Sequence, residues 1–414
     1  MLSKNALARL YVGQHICYLT YMPSDIVDRE EVIGSLLGRL TQQGRGANYA
    51  LIGPRRIGKT AILEELEKRL TRSNVIVARI DFSKYAYDPS EFSLALVDFL
   101  TEAYERTLGR TSRLLAHVKH AVTEIKKLRR ARIEFDITMG DDGQPVLTAK
   151  PTLGKEEPKH AQSFENCFSY ASQLASVSGE RIVVILDEAQ RIVEWAKLNG
   201  MEAVMDQFRS IIDRLGEVSI VLSGSRVHML RRIFGAAGSP LFGRFTLIEV
   251  GPLEERDAIT LYLRRASQAN RDEAKEVYKL VGGHPFYLLV MAEARRQNES
   301  VAQRYRRLLT SVTGGLYLYV NYILSEDLGS RVTETHYAKI LRTLAQGEKK
   351  FSEIAKGLGT KAEWLTRYVT KLAEFDLVEK TNGTYKLKDR IVRDYFAFNY
   401  QEDAASPASD AKAT

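Results

Sequence analysis

The sequence of 414 residues is 44% hydrophobic and 27% charged, a length and composition that predict a folded protein of two or three domains. It contains only two cysteines, Cys17 and Cys167, so neither a disulfide framework nor a structural zinc site is supported. The formal net charge of +8 favours an acidic partner such as nucleic acid, although a mildly basic protein without such a partner would carry the same charge.

The strongly apolar stretches of the sequence are strand-length, Ile182–Leu186 being an example. A transmembrane helix needs about 20 consecutive apolar residues, so none is expected. The N-terminus contains Lys4 and Arg9 but lacks the long apolar core and the cleavage site of a secretion signal. These features favour a soluble cytoplasmic protein without a membrane partner.

Short β-branched runs alternate with helical patterns over the first 251 residues. The predicted strands are Tyr49–Ile52, Val75–Ile80, Ile182–Leu186, Val218–Leu222 and Thr246–Val250. The predicted helices between them include Ala61–Leu70, Phe92–Leu108 and Glu202–Leu215. Such alternation predicts an α/β fold with a parallel sheet that helices cover on both faces. Continuous apolar runs suit strands that are buried on both sides.

The first strand leads directly into a G-x-x-x-x-G-K-T motif, the pattern of a phosphate-binding loop that opens a helix. Its residues, with the alanine that follows, are Gly53, Pro54, Arg55, Arg56, Ile57, Gly58, Lys59, Thr60 and Ala61. In such a loop backbone N–H groups surround phosphate oxygens, and the lysine bridges the β- and γ-phosphates. The threonine hydroxyl binds Mg²⁺. The motif therefore predicts ATP and Mg²⁺ as cofactors.

Residues from about 109 to 160 interrupt the alternation of strands and helices. The segment opens with a basic, helix-like stretch that includes Lys126 and Arg130. Two alternating runs follow, Ile133–Thr138 and Val146–Ala149, with Gly140 and Gly143 between them. The pattern predicts a helix and a β-hairpin inserted into the core domain, residues 1–251.

The third strand ends in two acids, Asp187 and Glu188. An apolar strand that ends in this way is typical of the Walker B motif. We expect Asp187 to hold Mg²⁺ and Glu188 to polarise the attacking water. Asp81 also follows a predicted strand and is a rival Mg²⁺ ligand, but no glutamate stands next to it.

Two further domains are predicted beyond the core. Residues 252–330 are almost entirely helical in pattern and suggest a helical lid, in which Pro285 starts a helix after Gly282 and Gly283. Residues 331–400 combine three helical patterns with a hairpin signal, the outline of a winged helix-turn-helix. The helices are Tyr337–Ala345, Phe351–Leu358 and Lys361–Phe375, and the strands are Leu377–Lys380 and Thr384–Leu387. Residues 401–414 read as a disordered tail.

Basic residues of the predicted winged helix are candidates for contacts with DNA phosphates. They are Lys361, Arg367, Lys371, Lys386 and Lys388. Leu365, Tyr368 and Leu372 share another face of the predicted recognition helix, which we expect to pack inward. Glu363 and Glu374 interrupt the basic face, so contact with double-stranded DNA and contact with a protein partner are equally open.

Taken together, these motifs resemble the archaeal-type P-loop ATPases, a family in the neighbourhood of the STAND and AAA+ ATPases and of the MNS-like clade. The resemblance spans about residues 25–400. It implies a central sheet in which the strands lie in the order fifth, first, fourth, third, second. The segment Asp28-Arg29-Glu30 is similar to the family's box before the first strand, which implies that Arg29 contacts the adenine end of the nucleotide.

The resemblance also suggests catalytic and sensing roles outside the two main motifs. Ser223–Arg226 matches the first sensor, which implies that Arg226 reads the γ-phosphate. Leu241–Arg244 resembles a Gly-Arg element, so Arg244 is a candidate arginine finger acting in cis or toward a neighbouring subunit, or else a surface ion pair. Pro285 matches the lid proline that packs near the base.

The leading functional hypothesis is an ATP-hydrolysing switch or remodeller in which nucleotide state is coupled to the winged helix. A second hypothesis is a DNA-binding regulator or origin-type loader, for which hydrolysis is secondary. A third is a signalling ATPase of a defence or toxin system that does not contact nucleic acid. The client and the oligomeric state stay open.

Overall fold

A computed structural model of the protein describes residues 27, 29–42, 46–108, 131–139, 145–153, 160–329 and 336–400. The predicted helical part of the insertion (109–130), residue 28 of the box and the predicted tail (401–414) lie outside the described residues. The described chain divides into two compact units, one within residues 29–251 and one made of Val27 and the residues from Pro252 on. In this part of the chain, no helix has the length and apolarity needed to cross a membrane.

The first unit alternates strands and helices. Its strands are β1 (Tyr49–Ile52), β2 (Ile76–Asp81), β3 (Ala131–Met139), β4 (Pro145–Leu153), β5 (Ile182–Asp187), β6 (Val218–Gly224) and β7 (Thr246–Glu249). Its helices are α1 (Glu30–Thr41), α2 (Lys59–Arg72), α3 (Pro89–Leu108), α4 (His160–Ser178), α5 (Ile192–Trp195), α6 (Val204–Arg214) and α7 (Val227–Gly235).

The main sheet has five parallel strands in the order β2-β5-β6-β1-β7. Numbered as core strands, this is the predicted order of fifth, first, fourth, third and second, so the fold class is confirmed. Every residue of β1, β5 and β6 is buried, as expected for strands covered on both faces. Because all strands run the same way, the residues that follow β1, β5 and β6 meet at one edge of the sheet.

Aromatic side chains fill the core beside this sheet. Trp195 is fully buried and contacts Phe82, Phe92 and Phe164, with ring centroids 4.7–5.3 Å apart. These rings come from four separate elements between β2 and α5, so their packing ties the crossover helices to the sheet.

The predicted hairpin of the insertion is present as an antiparallel pair, β3 and β4, in which Phe135 lies opposite Ala149. Both strands are longer than the pattern predicted, since they extend from Ala131 to Met139 and from Pro145 to Leu153.

The second unit is helical with a small sheet near its end. Its helices are α8 (Glu255–Arg265), α9 (Arg271–Val281), α10 (Pro285–Glu293), α11 (Val301–Thr310), α12 (Gly315–Leu328), α13 (His336–Ala345), α14 (Phe351–Leu358), α15 (Ala362–Glu374) and α16 (Arg390–Asn399). Its strands are β8 (Lys349–Lys350), β9 (Val378–Thr381) and β10 (Thr384–Leu387), paired antiparallel in the order β8-β10-β9.

The final helix, α16, was not predicted and joins the two halves of this unit. Asp389 caps it by accepting from the Ile391 N–H (2.7 Å) and also accepts a hydrogen bond from the Tyr287 hydroxyl of α10. Tyr305 of α11 donates to Asp394 (2.6 Å). The helices after Pro252 and the module that ends with α16 therefore pack as one compact unit.

Candidate active site

The loop from Gly53 to Gly58 connects β1 to α2 and needs glycine at both ends. A side chain at Gly53 would collide with the carbonyl of Val250. Gly58 has a φ of 103°, a region that other residues rarely adopt, and it stands directly before the first helical residue, Lys59. Arg56 also adopts a left-handed conformation, with a φ of 58°. These turns place the loop backbone at the positive end of the α2 dipole, a ready site for an anion.

Lys59 is buried, with 5% of its surface exposed. Its Nζ donates to the carbonyls of Gly53 (2.9 Å) and Pro54 (2.7 Å), so the side chain folds back across the loop. Burial lowers the pKa of Lys59 to about 8, although the nearby carboxylates of Glu188 and Asp187 favour its charged form.

Asp187 lies at the end of β5 with two hydroxyl groups directed at its carboxylate. Thr60 Oγ1 donates to Oδ2 (2.9 Å), and Ser223 at the end of β6 donates to Oδ1. The Glu188 N–H also donates to Oδ1 (3.0 Å). Asp187 is 6% exposed. Its carboxylate is held by hydrogen bonds from α2 and from β6, so its orientation is set before any ligand binds.

Glu188 follows in a left-handed backbone conformation, with a φ of 53°. Its Oε2 accepts hydrogen bonds from Gln190 Nε2 and from Ser225 Oγ (3.2 Å). No motif of the sequence singled out Gln190. The available signal was an amide two residues after the acid pair.

Asp81 ends β2 directly beside Asp187 in the strand register. Its Oδ1 accepts from the N–H (2.8 Å) and the hydroxyl (2.7 Å) of Ser83, and it caps the short helical turn Phe82–Tyr85. Its carboxylate is thus engaged in a local cap, whereas that of Asp187 contacts the phosphate-loop threonine.

Arg29 stabilises the backbone of the phosphate-binding loop. Its guanidinium donates to the carbonyls of Gly251 (2.7 Å) and of Ile57 (3.4 Å), the latter in the loop itself. Ile57 is fully buried and Ala61 is buried at the start of α2, while Arg55 and Arg56 are half-buried. Arg29 therefore positions the loop backbone.

The profile of a family described as an ATPase domain predominantly from Archaea matches residues 26–291, well over half of the chain. The chain belongs to this family. The resemblance to archaeal-type P-loop ATPases is thereby confirmed, and residues 26–291 form an ATPase domain of this family. An uncharacterised protein of Methanocaldococcus jannaschii is 24% identical over 315 residues, which are 73% of this chain and 64% of the relative. The chain thus spans less than two thirds of that relative.

Two solved structures are similar in fold to the ATPase. The Walker-type ATPase of Pyrococcus abyssi is 21% identical, with a TM-score of 0.61 over 90% of this chain and 97% of the other. The ORC2 protein of Aeropyrum pernix, solved as ADPNP–ADP complexes, is 12% identical, with a TM-score of 0.54 over 91% and 96%. At these identities the similarity concerns the fold alone.

Arg226 of the ATPase lies at the same edge of the sheet as the phosphate-binding loop. Gly224 is in register with Ile52, so the residues after β6 and the residues after β1 leave the sheet side by side. Arg226 is half-buried and stands directly before α7, where its carbonyl accepts from the Leu230 N–H (2.9 Å).

Arg244 lies at the opposite edge. It precedes β7, whose first residue, Thr246, is in register with Tyr49 at the start of β1. Its guanidinium forms a two-pronged ion pair with Asp213 at the end of α6 (2.6 and 3.0 Å). The structure therefore does not bring Arg244 to the phosphate loop of its own chain, because a strand length separates the two edges. Of the three alternatives, the ion pair is present, and a finger role toward a neighbouring subunit stays a prediction.

Pro285 occupies the first position of α10 in the second unit, as the helix break predicted. The preceding His284 stacks on Tyr287, with ring centroids 4.1 Å apart. Three arginines of this unit form ion pairs within it: Arg295 and Arg304 with Glu273 (both 2.9 Å), and Arg307 with Glu299 (2.6 Å).

The candidate DNA contacts lie on and around α15. Leu365 and Leu372 are fully buried, as the face prediction required. Lys361 and Arg367 are exposed. The other three candidates have acidic neighbours within the module: Lys371 with Glu374 (3.7 Å), Lys386 with Glu379 (3.2 Å) and Lys388 with Asp376 (2.7 Å).

Proposed function

We propose that the ATPase is a Mg²⁺-dependent molecular switch or remodeller in which nucleotide state is coupled to a C-terminal winged helix that engages double-stranded DNA or a protein partner. The observation that carries the proposal is the 2.9 Å contact between the hydroxyl of Thr60 and the carboxylate of Asp187. It joins the phosphate-binding loop to the acid pair, the two elements that magnesium-dependent phosphoryl transfer requires.

The phosphates of ATP would bind along the loop from Gly53 to Thr60. The backbone N–H groups at the start of α2 and the buried ammonium of Lys59 supply positive charge there. Arg29 keeps the loop in shape through its contact with the Ile57 carbonyl.

Mg²⁺ suits the donor set at the end of β5. A threonine hydroxyl and an aspartate carboxylate are hard oxygen ligands, and this cation binds through one or two such groups together with substrate phosphates. Thr60 and Asp187 would hold it, and when bound it would neutralise charge on the phosphates.

Hydrolysis requires a group that orients the attacking water. We assign this role to Glu188, whose carboxylate follows Asp187 at the same edge of the sheet. Arg226, in the loop after β6, would read the γ-phosphate, since its guanidinium can bind two phosphate oxygens at once.

The module that we propose to engage DNA or a protein partner is formed by α13, α14, α15 and the small sheet. Three helices followed by a β-ribbon support the winged helix-turn-helix interpretation. The exposed Lys361 and Arg367 favour a second candidate function, a DNA-binding regulator or origin-type loader for which hydrolysis is secondary. The acidic neighbours of the other candidate lysines favour a protein partner instead.

Two variants test the nucleotide site. Lys59→Ala is expected to lose ATP binding, because it removes the only buried lysine among the described residues. Glu188→Gln is expected to bind ATP and to lose turnover. The matched control is Lys68→Ala, an exposed lysine on the same helix. Steady-state hydrolysis at the wild-type rate in Glu188→Gln would show that Glu188 does not polarise the attacking water.

A further inference from the structure

A buried amide contacts the carboxylate to which we assign water polarisation. Gln190 lies on the short helical turn Ala189–Arg191 after β5 and is 4% exposed. Its Nε2 donates to Glu188 Oε2 and to Ser225 Oγ (3.3 Å), and its Oε1 accepts from the Ser225 N–H (3.3 Å). Both ends of the amide are therefore committed to the groups around Glu188.

Ser225 closes a ring of hydrogen bonds. It is 7% exposed, and its Oγ donates to Glu188 Oε2 (3.2 Å) while accepting from Gln190. The ring joins the turn after β5 to the loop after β6, two strands that are neighbours in the sheet. A side chain at Gly224 would collide with Gln190 Oε1 and with Leu230, so the glycine makes room for the amide.

The ring acts on one oxygen of the carboxylate. Both contacts reach Oε2, and no other hydrogen bond to the Glu188 side chain is found in the described part of the chain. Gln190 and Ser225 are neutral donors, and together they hold this oxygen from two sides. The backbone of Glu188 is left-handed, a conformation that is unfavourable for a residue other than glycine.

We infer that Gln190 and Ser225 are positioning residues that hold Oε2 of Glu188 so that Oε1 is presented to the attacking water. The inference rests on the proposed role of Glu188. It extends the site to a polar residue two positions beyond the acid pair and to the hydroxyl beside Arg226.

Removing either partner should lower kcat more than it changes nucleotide binding. For Gln190→Ala and Ser225→Ala we expect kcat to fall roughly 10- to 100-fold, the range found when a supporting hydrogen-bond partner of a working group is removed. ADP affinity and KM should stay within about threefold of the wild type, because neither side chain belongs to the phosphate-binding loop. The matched control is Gln207→Ala, another amide of this unit, which donates to the Ala161 carbonyl.

The isosteric variant Gln190→Glu separates positioning from simple packing. The new carboxylate would face Glu188 Oε2, so the pair would take up a proton as the pH falls. Only the protonated form can donate as the amide did, so the kcat of Gln190→Glu relative to the wild type should rise toward acidic pH. A purely structural defect would leave that ratio independent of pH and would overturn the inference.

Two combinations distinguish the failure of this inference from the failure of the proposed function. In the Glu188→Gln background, adding Gln190→Ala should lower kcat no further, because the group that it positions is already absent. Full hydrolysis in Glu188→Gln would overturn the role of Glu188 itself. If Glu188→Gln is inactive while Gln190→Ala and Ser225→Ala keep full kcat, only the positioning role fails. Should Gln190→Ala unfold, Gly224→Ala displaces the same amide and must reduce kcat in a protein that still binds ADP.

Discussion

The hydroxyl of Thr60 donates to Oδ2 of Asp187 over 2.9 Å, although 127 positions separate the two residues in the chain. Thr60 is on α2, the helix that follows β1, whereas Asp187 ends β5, and β6 lies between these two strands in the sheet. Ser223 of β6 donates to the other oxygen of the same carboxylate. Hydrogen bonds at Asp187 thus link β5 to the neighbouring strand β6 and to the helix that follows β1.

This hydrogen bond predicts which acid governs the Mg²⁺ dependence. Asp187→Asn and Thr60→Ala should each lower the apparent Mg²⁺ affinity, measured through ATP binding, by roughly 10- to 100-fold. Thr60→Ser should retain the wild-type affinity. Titration of Mg²⁺ at constant ATP measures the effect. Asp81→Asn is the discriminating comparison, since Asp81 caps a local turn through Ser83. A larger effect in Asp81→Asn than in Asp187→Asn would make Asp81 the metal ligand.

The depressed pKa of Lys59, about 8, predicts proton uptake when ATP binds. Phosphate charge favours the ammonium form, so the pKa of Lys59 must rise in the complex. At about pH 9 the free lysine is mostly neutral, and binding should take up nearly one proton, whereas at about pH 7 the lysine is already charged. Affinity should accordingly fall as the pH rises above about 8, at most tenfold per pH unit.

Calorimetry in two buffers of different ionisation enthalpy measures this uptake directly. Heats that are independent of the buffer at about pH 9 would contradict the prediction.

The placement of Arg244 predicts that it is dispensable within one chain. Arg244→Ala and Asp213→Ala should hydrolyse ATP at the wild-type rate when the protein is dilute, because the ion pair lies at the edge of the sheet away from the phosphate loop. The measurement is kcat at several protein concentrations, together with the mass in ATP and in ADP. An inactive Arg244→Ala in dilute monomer would contradict this placement. If kcat rises with protein concentration in the wild type but not in Arg244→Ala, Arg244 acts on a neighbouring subunit.

The exposed basic side chains of the C-terminal module predict a salt-dependent affinity for double-stranded DNA. The double variant Lys361→Ala/Arg367→Ala should reduce the slope of log affinity against log salt by up to about 0.9 for each phosphate that these two side chains neutralise in the wild type. Lys388→Ala should change it less, because Lys388 lies 2.7 Å from Asp376. Fluorescence anisotropy at several salt concentrations provides the slopes. No binding by the wild type at low salt would favour a protein partner.

Local pattern was sufficient for the five core strands and for the two main motifs, but it missed the final helix α16. The glycines and lysine of residues 53–60 act through backbone geometry over a few positions, and β-branched runs identify buried strands wherever they pair. The five core strands therefore lie within two residues of their predicted bounds. The strand order came from the resemblance to a family rather than from the patterns.

Interactions between residues that are distant in the chain could not be predicted from local pattern. The bonds of Gln190 with Glu188 and Ser225, the pairing of Arg244 with Asp213 and the acidic neighbours of the C-terminal lysines all depend on strand order and helix packing. The motifs alone establish that a phosphate-binding loop and an acid pair exist. Which side chains hold those acids follows from the three-dimensional fold, because parallel strands bring together residues that are far apart in the chain.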